Sequence, residues 1–409
     1  MKKNRNDLLI ILTFITLLSY FNYVYVIAAL PDFLSDYNGH TYIYLPLFTR
    51  QTFWEGWMVV PYCAWHLLTL FLYKILLIPI EVSAACSTCI FAAFTYLVFY
   101  WMLQKIQLRF ELGENNVKTA FIAFCLSIAQ PLSAFWLDSS AFSMNAIYSA
   151  TYSCVRGFSL LCFCLVCDIW GKQRDSEYRG IFFPVENGLK KYYVYLAFFL
   201  FLSAMAKPTF AEAFIPAVAL SMLVMWILRI RCGNGSAKPY FRHCLYTFYC
   251  AIPTLIYIIA QFTAYFLLGG SYGDGSSLII TKFLEVWKMY SENVVLSIVF
   301  SLAFPLFMLL IDPSHFFKTD MGRLSLTCLV VGFFEAAFLG DGGPKLDHAD
   351  FMWPIMSAML LVYTVSTLRL LVLEKKQNDT TTKTVLLSIA WLLFCLHALA
   401  GILIFVNLS

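Results

Sequence analysis

Ten apolar stretches of bilayer length follow one another between residues 8 and 405, and they decide most of what this chain can fold into. They are 8–30, 82–103, 117–137, 149–170, 208–229, 245–269, 292–311, 324–340, 351–372 and 384–405. A helix needs roughly 20 apolar residues to span the hydrocarbon core, where backbone polar groups must find partners within the protein. A shorter piece, 192–206, ends at Lys207-Pro208, so 192–229 reads as two spans meeting at a break. Charged residues are 13% of the 409 positions, against about 25% in a soluble domain. The expected fold is therefore all-α: a single polytopic transmembrane helix bundle over 1–409, with no soluble domain and no repeat of fixed period.

Basic residues set the expected topology, because Lys and Arg concentrate in cytoplasmic loops. They occur at the N-terminus (Lys2, Lys3, Arg5) and in loops 104–116, 171–191, 230–244 and 373–383. The loops between these are neutral or acidic. All the basic loops fall on one side only if 31–103 contributes a single crossing. Segment 82–103 is the better span, since 59–80 contains Pro61, His66, Lys74 and Pro79. The stretch 59–80 is then a juxtamembrane helix on the outer face. The sum is about 11 spans in a cytoplasmic membrane, N-terminus inside and C-terminus outside. The N-terminal helix reads as an uncleaved anchor. A net charge of +4 gives no reason to expect nucleic acid as a partner. The thirteen cysteines lie mostly inside apolar runs, where they read as small apolar residues.

The polar residues concentrate after the first span. Pro31-Asp32-Phe33-Leu34-Ser35-Asp36-Tyr37-Asn38-Gly39-His40 opens an outer loop, 31–81, that continues through Phe53, Trp54 and Trp57 to Pro61-Tyr62-Cys63-Ala64-Trp65-His66. A short Ile78-Pro79-Ile80-Glu81-Val82 turn then leads into a span ending at Gln104-Lys105. This arrangement over 1–110 resembles the start of GT-C type integral-membrane glycosyltransferases, such as the protein O-mannosyltransferases and aminoarabinose transferases. Beyond residue 110 the likeness is one of many-helix architecture. Three later stretches, 145–158, 206–210 and 347–353, look like those of bacterial membrane proteins associated with surface polysaccharide. The adjacent acidic pair usual in the superfamily is absent: Asp36 is followed by Tyr37, and Asp32 lies four residues back.

The resemblance implies transfer of a sugar from a polyprenyl-phosphate donor to a glycan, lipid or polymer acceptor on the outer membrane face, with inversion at the sugar carbon. Membrane lipids would surround the site. Such a reaction needs a base for the acceptor hydroxyl and cations for the leaving phosphate. Asp36 is the candidate base, and His40 shares its face if the segment is helical. The plainer reading of Asp32 and Asp36 is as solvated carboxylates capping a juxtamembrane helix. Arg156 lies about 10 Å inside a span at 1.5 Å per residue, where a cation costs roughly 2.5–3.5 kcal/mol at mid-membrane. It and Lys207, at the break, are candidate phosphate ligands. The alternatives are a structural pair with Glu212 or Glu335 for Arg156, and snorkelling for Lys207. Lys345 and His348, in the Gly- and Asp-rich loop 340–353, are further candidates for phosphate or sugar. Asp341, Asp347, His348 and Asp350 also admit a hard-cation site, but no metal or other cofactor is expected. His66 reads as an interfacial histidine.

Two other activities stay open. A polysaccharide repeat-unit polymerase or ligase would use arginines in a large outer loop, and the outer loops here are acidic or neutral. A transporter or flippase would carry broken helices at matching positions in two halves.

Overall fold

The computed structural model describes all residues except 1–4, 34, 51–55, 58–59, 61, 114, 133–148, 186–187, 232–236, 265–277, 343–345, 347–349, 376–380 and 408–409. The apolar runs are helical because nothing within most of them interrupts the i→i−4 ladder. In chain order the main helices are α1 (Arg5–Ala29), α2 (Ala64–Leu70), α3 (Ile80–Arg109), α4 (Asn116–Ile128) and α5 (Ala150–Arg174). There follow α6 (Lys190–Ala206), α7 (Thr209–Arg231), α8 (Ala237–Phe262), α9 (Val294–Ser301) and α10 (Ala303–Ile311). The set closes with α11 (Pro313–Lys318), α12 (Asp320–Phe338), α13 (Trp353–Lys375) and α14 (Thr381–Asn407). Among the described residues, eight helices are long and apolar enough to cross a membrane, or nine if the bent pair α9–α10 counts as one span.

Two expected spans differ in form, and both differences trace to proline. Over the described part of the stretch 117–137, the helix ends at Ile128, ahead of Gln130-Pro131, because the residue before a proline is pushed out of the helical region. The stretch 292–311 bends by 67° between α9 and α10. Pro305 has no N–H to return to the Ser301 carbonyl. The Tyr363 hydroxyl of α13 donates to that carbonyl instead, at 2.8 Å. The same hydroxyl lies 2.8 Å from the His397 ring of α14, whose Nδ1 donates to the Gln130 carbonyl at 2.6 Å. One buried chain of polar groups therefore serves both breaks. Gly401 is needed beside it, since a Cβ there would lie 1.7 Å from the Ile128 carbonyl oxygen.

Helices α5 and α13 are the most enclosed, and their composition explains it. Small residues on α5 (Ser153, Cys154, Gly157, Cys162, Cys164) let neighbouring backbones approach closely. The described cysteines are all free thiols. Helices α1, α7 and α8 instead turn leucines, isoleucines and aromatics outward, as a lipid-facing shell does.

The basic ends of the helices gather at one end of the bundle. Lys118 pairs with Glu374 at 2.7 Å, Lys375 donates to the Phe110 carbonyl at 3.3 Å, and Arg174 pairs with Asp320 at 3.0 Å. At the other end, the first loop is helical over 36–50, with a π-helical turn at Gly39–Tyr44. Helix α2 continues as a π turn to Ile75. These twelve residues reach about 18 Å at 1.5 Å per residue, too short to cross a core of about 30 Å. Trp65 Nε1 donates to Thr88 and Thr69 to Ser87 of α3, at 3.2 and 2.9 Å. One departure from the all-α expectation is a short antiparallel pair, β1 (Leu278–Ile280) with β2 (Leu339–Asp341), Leu278 opposite Asp341.

Candidate functional site

Asp36 begins the helical stretch that follows α1, and the turn it starts places His40 one turn on. His40 Nε2 stands 3.4 Å from Asp36 Oδ1. On its other side, His40 Nδ1 is 3.0 Å from His66 Nε2 of α2. Carboxylate and two imidazoles thus form a line, with both rings buried. The Asp36 side chain is 36% exposed where that of His40 is 4%, so the carboxylate is the more open end of the line.

Other parts of the chain converge on the same carboxylate. The backbone N–H of Ala150, the first residue of α5, donates to Asp36 Oδ2 at 3.1 Å. Ser149 caps that helix, its hydroxyl accepting from Tyr152 N–H at 3.4 Å, and Lys207 Nζ donates to the same hydroxyl at 3.3 Å. Lys207 follows α6 in extended conformation, ahead of Pro208. Its ammonium lies 3.8 Å from the centre of the Trp353 ring, at the start of α13. The starts of α5, α7 and α13 and the first loop therefore meet at one place.

Charge explains how the buried groups of the cluster, His40, His66 and Lys207, sit beside one carboxylate. Burial acts to raise the Asp36 carboxyl, but His40, Lys207 and the Ala150 N–H together outweigh it and hold the group below the usual carboxylate range. Burial lowers the Lys207 ammonium, against the pull of Asp36, Asp350 and Glu212. His66 is pushed well below the ordinary histidine value by burial and then by His40, with Asp36 and the Tyr62 backbone acting the other way. An ionised carboxylate with one open side, an imidazole behind it and a buried ammonium nearby can take a proton and attract a phosphate.

The sequence candidates divide accordingly. Asp36, His40 and Lys207 come together. Arg156 does not join them. It is buried in α5, donating from Nη1 to the Ser127 carbonyl at 3.0 Å and from Nη2 to that of Leu126 at 3.3 Å. These are last-turn carbonyls of α4, left without intrahelical partners where that helix stops. No ion pair of Arg156 with Glu212 or Glu335 is found among the described residues. Lys345 and His348 lie outside the described residues, as does Asp347. Among the described residues no group of three or more His, Cys, Asp or Glu side chains could hold a metal ion. His66, read from sequence as interfacial, instead extends the Asp36–His40 pair. Trp353 is the platform under Lys207.

No family model matches this chain, and no curated protein or solved structure is significantly similar to it.

Proposed function

We propose that the chain is a GT-C-like inverting glycosyltransferase of the cytoplasmic membrane. It takes a sugar from a polyprenyl-phosphate donor on the outer face and places it on a glycan, lipid or polymer acceptor. The N-terminus is then cytoplasmic and the C-terminus extracytoplasmic. The observation that carries this reading is an ionised, partly open Asp36 carboxylate in one cluster with Lys207 and Trp353.

In this reaction the acceptor hydroxyl gives its proton to Asp36. Its oxygen bonds the anomeric carbon from the face opposite the phosphate, and the carbon–oxygen bond to phosphate breaks with its electron pair leaving on the phosphate. Lys207 neutralises that charge, and the Trp353 ring offers a face on which a sugar can stack. His40, backed by His66, orients the carboxylate and shares the proton. Asp36 is too strong an acid in the free protein to be an ideal base. Donor phosphate drawing on Lys207 removes part of the charge that holds the carboxyl down, so binding tunes the base upward. An apolar cavity of about 270 Å³ between α6, α7 and α8, lined by Leu200, Phe214, Val218 and Ala251 among others, is suited to hydrocarbon.

Arg156 has a structural part in this reading, as the cap of α4. Among the described residues gathered at Asp36 there is no arginine of the kind a repeat-unit polymerase relies on. Among the described residues, the breaks after 128, 206 and 301 do not fall at matching positions of two halves, as a transporter reading would have them. The test is incubation of the purified chain with a panel of polyprenyl-phosphate hexoses. The expected result is release of polyprenyl phosphate on addition of a glycan or lipid acceptor; no release from any donor contradicts the proposal.

A further inference from the structure

We infer that the bundle carries a second lipid site, for a phospholipid with an anionic headgroup, at the end opposite Asp36. Ala150, which touches Asp36, and Arg174 are the two ends of α5. At 1.5 Å per residue they lie about 36 Å apart, so this site is separate from the one described above.

A cavity of about 730 Å³ lies between α7, α12 and the residues Leu309 of α10 and Phe316 and Phe317 of α11. Its walls are apolar and open sideways: Leu220, Val224 and Leu228 are 45, 48 and 47% exposed, and Phe317 and Val330 are 61 and 64% exposed. One end is cationic, with Arg174, Arg229 and Arg323 and a single carboxylate, Asp320. Asp320 is shared by two of the arginines, pairing with Arg174 at 3.0 Å and Arg323 at 2.7 Å. Arg229 stacks over the Tyr240 ring at 4.1 Å instead. Three guanidiniums against one carboxylate leave two positive charges in excess. The start of α12 adds the positive end of a nineteen-residue helix.

The form of the cavity selects the ligand. A soluble phosphate compound would need polar walls, and apart from Ser221 and Thr327 the walls away from the charged end are aliphatic and aromatic. From Leu220 to Arg229 is about 13 Å along α7, a hydrocarbon groove with its cations at one end only. That is the complement of a lipid whose chains lie beside α7 and whose phosphodiester meets the arginines. Arg229, the arginine not tied to Asp320, is the headgroup ligand.

The test is native mass spectrometry of the full chain in detergent with equimolar phosphatidylglycerol and phosphatidylcholine. Retention of phosphatidylglycerol over phosphatidylcholine by about tenfold is expected, the scale of one or two charge-assisted hydrogen bonds. Arg229→Gln leaves both Asp320 pairs in place and should remove most of that preference. Val224→Trp, which fills the groove from a lipid-facing position, should lower occupancy by both lipids. Lys238→Gln, an exposed cation outside the groove, should change nothing. Equal retention of the two lipids by the unmodified chain would overturn the inference. So would an unchanged preference in Arg229→Gln, an equal loss in Lys238→Gln, or displacement of the lipid by millimolar inorganic phosphate.

Discussion

The Asp36 carboxylate accepts the backbone N–H of Ala150 at 3.1 Å, across 114 positions of sequence. The candidate base is thereby also a ligand to the start of a long buried helix. The two roles separate by substitution. Asparagine keeps an oxygen for the Ala150 N–H but cannot take a proton, whereas alanine loses both. Asp36→Ala should cost about 0.5–2 kcal/mol of stability, the range for a lost helix cap, and Asp36→Asn clearly less. Thermal melts of the purified variants in detergent check this order, and equal destabilisation by both would argue against the cap.

Arg156→Ala should be the more damaging change to the fold. It strips the Leu126 and Ser127 carbonyls of their donors inside the bundle, and hydrogen bonds to a charged donor contribute about 1.5–3 kcal/mol each. A loss of roughly 3 kcal/mol or more is expected, with Arg156→Lys recovering part of it through one of the two bonds. Activity per folded molecule should fall far less than folded yield. A stable Arg156→Ala that fails to bind donor would return this residue to the phosphate site.

Lys207 gives a kinetic prediction. Positive charge lowers a carboxyl, so neutralising it with donor phosphate raises Asp36. The acid limb of kcat, which reports the donor complex, should therefore lie at higher pH than that of kcat/KM, which reports the free enzyme. In Lys207→Met the separation between the two limbs should shrink and the KM for donor should rise. Superimposable limbs in the unmodified protein would count against Lys207 as the phosphate partner.

At the opposite end, His315 makes stability depend on pH. Burial first, then the Arg369 guanidinium, hold this histidine at about 4 from an ordinary 6.5, with Asp312 acting against them. The folded protein thus favours the neutral ring, while the unfolded chain takes up a proton below about 6.5. The contribution is complete above that value and is lost as pH falls towards 4. Cooling of the melting transition between pH 7.5 and 5 is expected, on the order of 1–2 kcal/mol from this residue. His66, also held low, adds in the same direction. His315→Gln should flatten the slope; an unchanged slope would remove His315 as its source.

How much of this was legible follows from how local each feature is. Helix-forming runs are written in consecutive residues, so the long spans stand out. The stops were legible too, in Pro131 and Pro305, yet continuous apolar sequence on either side masks them. Asp36 is marked by its place just beyond the first span, and Lys207 by the Lys-Pro break. The partnership of His40 with His66 has no such mark, because 26 residues and two helix starts separate them without any shared period. Arg156 shows why a buried cation is ambiguous in sequence: the groups it serves are carbonyls, which no side chain announces.

The most direct measurement is donor turnover by Asp36→Asn, with folding checked by its melt and donor binding measured separately. Removing the base should lower turnover by at least about a hundredfold while the melt and donor affinity stay close to those of the unmodified protein. Turnover within a few-fold of the unmodified protein would contradict Asp36 as the proton acceptor.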